Sequence, residues 1–251
     1  MQIQPSFLNI DRYAPLYEKE GLFFEVLELS YFFWDEEDFN EAVKFYRQSN
    51  RVKSLHGCFI DINPASSDPS IRDYSKKACE RSCEIAKRVG AENIVFHSSC
   101  YPNLRGVYLE KWAEVSGEFY GKLADRYGLN VFIENCADVD PTPIKTLIDK
   151  AGHDKVRACL DTGHAFLTRT PINIWFEELF DYIGYIHLSD NMGLFDDHLP
   201  LGEGRIDLKL VDDYCRKLPG KIPCTLEVGG IDEIEKSIDF IKKTGMFEYL
   251  L

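Results

Sequence analysis

The chain has 251 residues, of which 45% are hydrophobic and 28% are charged, a balance typical of a globular protein. A net charge of −13 repels polyanions and argues against nucleic acid as the partner. There is no apolar run near the roughly 18 residues of a membrane span and no basic, apolar secretory signal at the start, so we expect a cytoplasmic protein without a membrane partner.

Strand-like and helix-like segments alternate along the chain, beginning with a weak strand at residues 6–10 and a helix at 13–20. Apolar runs predict the strands, and amphipathic spacing predicts the helices. The later strands are predicted at residues 24–29, 52–60, 93–97, 130–134, 156–160, 183–188 and 222–227. The helices that follow them are predicted at residues 35–48, 71–89, 110–127, 143–151, 172–180, 208–218 and 231–243.

Eight βα units in a chain of this length predict a single (β/α)8 TIM barrel over residues 1–251. Near-continuous apolar strands are expected where both faces of a parallel sheet are buried. An open, doubly wound sheet is the alternative architecture. It would spread the residues at the strand ends along one edge, whereas a barrel would gather them over one mouth.

Five of the six histidines, together with four carboxylates, follow the predicted strands directly or at a short distance. One such residue after a strand is usually structural, but repetition over six successive strands predicts that the side chains converge. Neutral imidazole and ionised carboxylate are ligands for divalent cations. The candidates are His56, His97, Glu134, Asp161, His164, His187, Asp196, His198 and Glu227.

Three sequence blocks carry a family resemblance, with Glu134 before them and Glu227 after them. They are Asp161 to His164 (Asp-Thr-Gly-His), His187 to Asp190 (His-Leu-Ser-Asp) and the Gly-Glu-Gly at residues 202–204. Together they resemble the xylose isomerase-like TIM-barrel superfamily, which includes a sugar phosphate isomerase/epimerase branch and an endonuclease IV branch. The resemblance covers about the last two-thirds of the chain well, and the first third only through strand order. The combination is specific, whereas each block alone is weak.

The epimerase branch implies one divalent cation, Mn²⁺, Co²⁺, Mg²⁺ or Zn²⁺, held by Glu134, Asp161, His187 and Glu227. In that branch the two glutamates transfer a proton on either side of the sugar, next to its carbonyl, and His164 lies beside the substrate. The resemblance therefore implies catalytic roles for Glu134, Glu227 and His164. Further candidates for substrate contact are His56, His97 and Arg205.

The endonuclease IV branch implies a different centre, in which nine ligands hold three zinc ions. All nine have counterparts here, and the ligands beyond the first four are His56, His97, His164, Asp196 and His198. Clustered metals stabilise a phosphodiester transition state and generate hydroxide. Against DNA as substrate, the loops predicted at residues 9–13 and 30–34 hold one arginine and no lysine.

We predict a divalent-metal-dependent isomerase or epimerase of a small sugar, keto-sugar or polyol derivative. The alternatives are a multi-zinc phosphoesterase resembling endonuclease IV and a non-catalytic barrel that binds a metal and a small ligand. The expected partner is a small-molecule sugar, and the sequence is compatible with a homo-oligomer. Aromatic candidates for a sugar-stacking wall, or for ordinary packing, are Phe32, Phe33, Trp34, Tyr101 and Phe166.

Overall fold

A computed structural model describes residues 1–31 and 34–251, and the eight strands in these residues close into a parallel barrel. Each strand pairs with the next, and the first pairs with the last, which confirms the predicted TIM barrel and excludes the open sheet. The strands are β1 (Gln2–Ile3), β2 (Phe23–Val26), β3 (Val52–His56), β4 (Asn93–His97), β5 (Asn130–Glu134), β6 (Val156–Asp161), β7 (Ile183–Leu188) and β8 (Cys224–Leu226).

Helices surround the barrel and cover its apolar outer face. Asp35 and Asp68 accept hydrogen bonds from the first amides of the second and third helices, as N-cap residues do. Within the described ranges, none of the helices is long and apolar enough to cross a membrane. The helices are α1 (Ile10–Glu20), α2 (Glu36–Ser49), α3 (Pro69–Val89), α4 (Gly106–Tyr127), α5 (Thr142–Ala151), α6 (Thr162–Phe166), α7 (Ile172–Leu179), α8 (Leu208–Cys215) and α9 (Ile231–Thr244).

The strand predicted at residues 6–10 is wrong. Phe7–Asn9 forms a 3-10 turn that leads into α1, and the first strand is the two-residue β1. Its polar Gln2 is buried because its amide donates a hydrogen bond to the Tyr185 hydroxyl at 2.8 Å inside the barrel. The strand predicted at residues 52–60 runs too far, since β3 ends at His56 and Ile60 is exposed.

The alternation of side chains along the strands places the candidate site residues at the mouth of the barrel. Residues two apart on a strand point to the same side, so an inward apolar residue is followed two positions later by an inward residue at the mouth. Four inward residues pack together inside the barrel, namely Val95, Phe132, Cys159 and Tyr185. Their partners two residues later are His97, Glu134, Asp161 and His187. Strand register pairs His97 with Glu134 and Asp161 with His187.

Candidate metal centre

Four side chains converge at the centre of the mouth, and we call them the central group: Glu134, Asp161, His187 and Glu227. They stand at the ends of β5, β6 and β7 and just after β8. One ligand atom from each lies within 4.8 Å of the other three, and all four side chains are buried. Three carboxylates in so small a buried volume repel one another unless positive charge lies between them.

Buried side-chain atoms without a hydrogen-bond partner indicate that a divalent cation fits the central group. Across residues 1–31 and 34–251, no hydrogen-bond partner exists for four buried atoms, Glu134 Oε1, Asp161 Oδ2, His187 Nδ1 and Glu227 Oε2. His187 Nδ1 lies 2.6 Å from Glu227 Oε2, but the two atoms are not aligned for a hydrogen bond. Buried polar atoms are nearly always satisfied, so four converging exceptions indicate the inner surface of a cation site.

The electrostatics of the central group agree with this fit. Burial raises the pKa of Asp161 to about 7, and the charges of Glu227 and Glu134 reinforce this rise against the pull of His164. Burial would also raise the pKa of Glu227, but His187 lowers it to about 2. The group therefore carries more negative charge than its imidazole balances, and a divalent cation would allow all three carboxylates to ionise together.

Glu25, which the sequence reasoning missed, orients His187. This carboxylate is fully buried in β2, and its Oε2 accepts hydrogen bonds from His187 Nε2 at 3.2 Å and from Tyr185 Oη at 2.7 Å. Because Glu25 holds the proton of Nε2, it is Nδ1 that faces the central group and would bind a cation in place of its own proton, the arrangement typical of metal-bound imidazole. The available signal was a single carboxylate inside the apolar run Phe-Phe-Glu-Val.

A second donor group, the β3–β4 group, consists of His56, His97 and Glu134. The Nε2 atoms of the two histidines lie 3.1 and 3.6 Å from Glu134 Oε2, while Oε1 belongs to the central group, so one carboxylate serves both. Burial lowers the pKa of His97 to about 4, which keeps this imidazole neutral. Burial opposes a charge on His56 too, but its bond to Glu134 and the charge of that carboxylate raise its pKa to about 9.

A third donor group, the loop group, consists of His164, Asp196 and His198. The Nε2 atoms of the two histidines lie 3.1 and 3.0 Å from Asp196 Oδ2. Their Nδ1 atoms lie 2.9 Å from the Asn135 carbonyl oxygen and 3.0 Å from that of Glu227. Carbonyl and carboxylate oxygens only accept, so both nitrogens of each ring donate. Burial opposes a charge on His198, but its hydrogen bond to Asp196 raises its pKa to about 9. A cation in this group would replace the protons on the two Nε2 atoms. All nine predicted ligands thus lie in three adjoining groups.

The loop between β7 and α8 carries Asp196 and His198 of the loop group and is held by Asp190. Its Oδ2 accepts hydrogen bonds from the amides of Gly202 and Gly204 at 3.0 and 2.9 Å, and its Oδ1 accepts one from Ile206 at 3.1 Å. A Cβ at Gly204 would clash with Asp190 Oδ1, so this approach requires glycine. The Gly-Glu-Gly block therefore serves as a turn.

Arg205 and the described members of the predicted aromatic wall do not belong to the three donor groups. Arg205 is exposed, and the hydrogen bond that the described chain shows for it comes from its backbone amide to the Asn191 carbonyl at 2.9 Å. Trp34 and Phe166 are partly buried against the core, and Tyr101 is exposed. Phe32 and Phe33 lie outside the described residues. The role of Arg205 stays a prediction.

The fold and the donor groups together define a TIM-barrel protein with a site suited to divalent metals. The model of the xylose isomerase-like TIM barrel family matches residues 20–244, and the chain belongs to this family. The resemblance carried by the three sequence blocks is thereby confirmed.

Sequence relatives include proteins of two kinds. The uncharacterized protein MJ1614 of Methanocaldococcus jannaschii is 29% identical over 196 residues, which cover 76% of each chain. A protein of Mycobacterium leprae named probable endonuclease 4 is 25% identical over 196 residues, covering 72% of this chain and 75% of that protein. The sequence relatives therefore include a protein that is named as an endonuclease.

Solved structures share the fold at lower sequence identity. The TTHB071 protein from Thermus thermophilus, soaked with ZnCl₂, has a TM-score of 0.77 and 22% identity, with 98% of each chain covered. A D-tagatose 3-epimerase-like protein has a TM-score of 0.73 and 21% identity over 90% of this chain and 88% of that one. The 3-keto-D-glucoside 4-epimerase YcjR from E. coli has a TM-score of 0.71 and 15% identity over 96% and 97%. The structural neighbours therefore include sugar epimerases.

Proposed function

We propose that the protein is a divalent-metal-dependent isomerase or epimerase of a small sugar, keto-sugar or polyol derivative. The observation that carries this proposal is the convergence of four unpartnered ligand atoms in the central group. A divalent cation held there would stabilise the negative charge that develops beside a substrate carbonyl. Sugar epimerases among the structural neighbours support the same chemistry.

The residues divide the proton transfer between them. Glu227 stands after β8 at the edge of the central group, and Gln4 Nε2 holds its Oε1 at 3.2 Å, which fixes the carboxylate as one base. Glu134 approaches from β5 and is the second base. His164 Nδ1 lies 3.1 Å from Glu134 Oε1, so its ring stands beside this base, and we assign it to contact a substrate hydroxyl. Bases on different strands can address both faces of a sugar carbon.

The first experiment measures metal content per chain by elemental mass spectrometry, on protein purified without a metal-binding tag. About one Mn²⁺, Co²⁺ or Mg²⁺ per chain is expected. Sugar panels in deuterium oxide are then followed by NMR, and deuterium should enter the carbon next to the carbonyl. Glu227→Gln should abolish this exchange.

Glu203→Gln is the matched control, because Glu203 is a half-exposed carboxylate of the mouth loop that pairs with Lys236 at 3.1 Å. It should exchange at the parent rate. Exchange retained in Glu227→Gln would remove the assigned base, and absence of exchange with all sugars in the metal-loaded parent would refute the isomerase proposal.

The β3–β4 group and the loop group favour a second candidate, a multinuclear phosphoesterase. Two to three Zn²⁺ per chain, with hydrolysis of an abasic-site duplex or of bis-p-nitrophenyl phosphate, would support it. His198→Ala removes a ligand of the loop group and should then eliminate cleavage. A zinc-loaded parent that cleaves neither substrate would exclude this candidate.

A further inference from the structure

A groove of about 730 Å³ lies beside the mouth, bordered by the loops after β3 and β4 and by the sides of α3 and α4 that face each other. A depression of about 290 Å³ adjoins it and reaches His97 of the β3–β4 group. Asn63 and Tyr101 line both volumes, so the groove and the donor groups lie along one path. A molecule bound at the mouth can therefore extend into the groove.

Cations line this groove, although the chain as a whole has a net charge of −13. Arg72 and Lys76 come from successive turns of α3, and Lys111 comes from α4. Arg72 Nη1 donates a hydrogen bond to the Ser66 carbonyl at 3.1 Å, which anchors the guanidinium at the rim. Lys111 also contacts Glu114, at 2.8 Å. A concave surface with several cations attracts phosphate groups.

Carboxylates do little to cancel this positive charge inside the groove. Glu118 lines its far end, but its Oε1 lies 2.5 Å from Lys122 Nζ, so that charge is already balanced. Lys76 Nζ lies 5.4 Å from the centroid of the Phe119 ring. The hydrogen bond and charge of Lys122, together with the charges of Lys76 and Lys111, lower the pKa of Glu118, so three lysines surround this one carboxylate. The positive potential therefore remains available to a ligand.

Two tyrosines stand out of the groove wall. Tyr101 is 75% exposed and Tyr108 is 74% exposed, whereas Trp112 is buried beneath the groove. Exposed aromatic rings can stack on a planar group of a ligand, and the neighbouring cations can attract a phosphate of the same ligand. The volume also exceeds what a monosaccharide needs and falls in the range of about 300–1,000 Å³ typical of larger small-molecule ligands.

We propose that this groove binds the distal part of the substrate, a nucleoside phosphate whose planar base stacks on the tyrosines and whose phosphate meets the cations, while the reacting end reaches the donor groups past His97. The catalytic meaning of the groove rests on the proposed function, but the binding itself does not. The substrate class that follows is a small sugar derivative joined to a nucleoside phosphate.

Isothermal titration of the full chain, as purified with its metal, tests the groove with ADP, UDP, inorganic phosphate and adenosine as probes. ADP or UDP should bind at least about tenfold more tightly than phosphate or adenosine, because each of the latter makes half of the contacts. Lys76→Ala and Tyr108→Ala should each weaken nucleotide binding about tenfold. Tyr108→Phe should retain it, since the ring remains.

Lys77→Ala is the matched control, because Lys77 is the next residue of α3, carries the same charge and is exposed outside the groove. It should bind like the parent. Absence of nucleotide binding, phosphate binding as tight as ADP binding, or nucleotide binding unchanged by Lys76→Ala and Tyr108→Ala would each overturn the proposal. These variants leave the donor groups intact and the readout needs no turnover, so failure of the groove and failure of the isomerase assay are separate results.

Discussion

The buried carboxylate of Glu25 lies 3.2 Å from His187 Nε2, and this contact turns the opposite nitrogen of the ring toward the carboxylates of the central group. Carboxylates behind metal-bound imidazoles typically contribute ten- to hundredfold to metal affinity. Glu25→Gln keeps the shape of the side chain but removes its charge. We expect the dissociation constant of the central metal to rise by about ten- to hundredfold, as measured by competition with a chelating dye.

Glu28→Gln is the control for this effect. Glu28 is another carboxylate just after β2, but it accepts hydrogen bonds from the Tyr46 hydroxyl at 2.6 Å and from the Phe7 amide at 2.7 Å, away from the donor groups. Equal losses of affinity in both variants would mean that Glu25 acts through general stability and not through His187.

Sharing of Glu134 predicts unequal effects on metal stoichiometry. Glu134→Ala removes a ligand from both the central group and the β3–β4 group, whereas Asp196→Ala removes one from the loop group alone. In zinc-saturated protein, elemental analysis should show that Glu134→Ala loses the central ion together with any neighbour, while Asp196→Ala retains the central ion. A central ion that persists in Glu134→Ala would contradict the shared arrangement.

Asp138 predicts a pH dependence of stability. Burial raises its pKa to about 6 from the ordinary 3.8, although the Ser98 hydroxyl donates a hydrogen bond to it at 2.6 Å. The folded state therefore holds this proton more tightly than the unfolded state. Its stabilising contribution is fully present below pH 3.8 and is lost as the pH rises through about 6.

The matching experiment compares the parent with Asp138→Asn in urea. From pH 4 to pH 7, the unfolding free energy of the parent should fall relative to the variant by up to about 3 kcal/mol. Asp154→Asn, at an exposed carboxylate, should show no such relative change. A constant difference between parent and Asp138→Asn across this range would show that Asp138 is already ionised in the folded state.

Gly204 predicts a steric limit on the mouth loop. A Cβ there would clash with Asp190 Oδ1 and would lie 2.5 Å from the Asn191 amide nitrogen. Gly204→Ala should therefore destabilise the protein by about 1–3 kcal/mol in thermal unfolding and weaken metal binding by the loop group. At Gly229 the nearest atom to a Cβ is 3.9 Å away, so Gly229→Ala should behave like the parent. Similar unfolding temperatures for the two variants would refute the argument.

Much of the barrel is legible in the sequence because its strands are buried on both faces. The predicted limits of the strands at 93–97, 130–134 and 183–188 agree with β4, β5 and β7. The first strand is not legible, because β1 has two residues and one of them is Gln2, whose burial depends on a partner 183 positions away. The apolar residues Phe7 and Leu8 are typical of a strand, but they lie in a 3-10 turn and Leu8 is 73% exposed.

The candidate site is also only partly predictable from the sequence. Residues at strand ends, such as His97 and Asp161, can be located by counting strands, and the structure brings them together. Glu25 cannot be found by that rule, because it lies inside β2 and acts through His187. The groove cannot be found from the sequence either, since Lys76 and Tyr108 come from different helices and line one groove only after the barrel closes.

The hydrogen bonds around Asp190 separate two kinds of change in the mouth loop. Asp190 and Leu199 exchange two backbone hydrogen bonds of 2.9 Å, which close the loop at its base. The segment at 192–195 projects beyond this closure, with Leu194 79% and Phe195 74% exposed. Because backbone groups and Asp190 hold the base, side chains of the projecting segment can be exchanged without moving Asp196 or His198. Substitutions at residues 192–195 can therefore change which molecules reach the mouth of the barrel while the donor groups keep their positions.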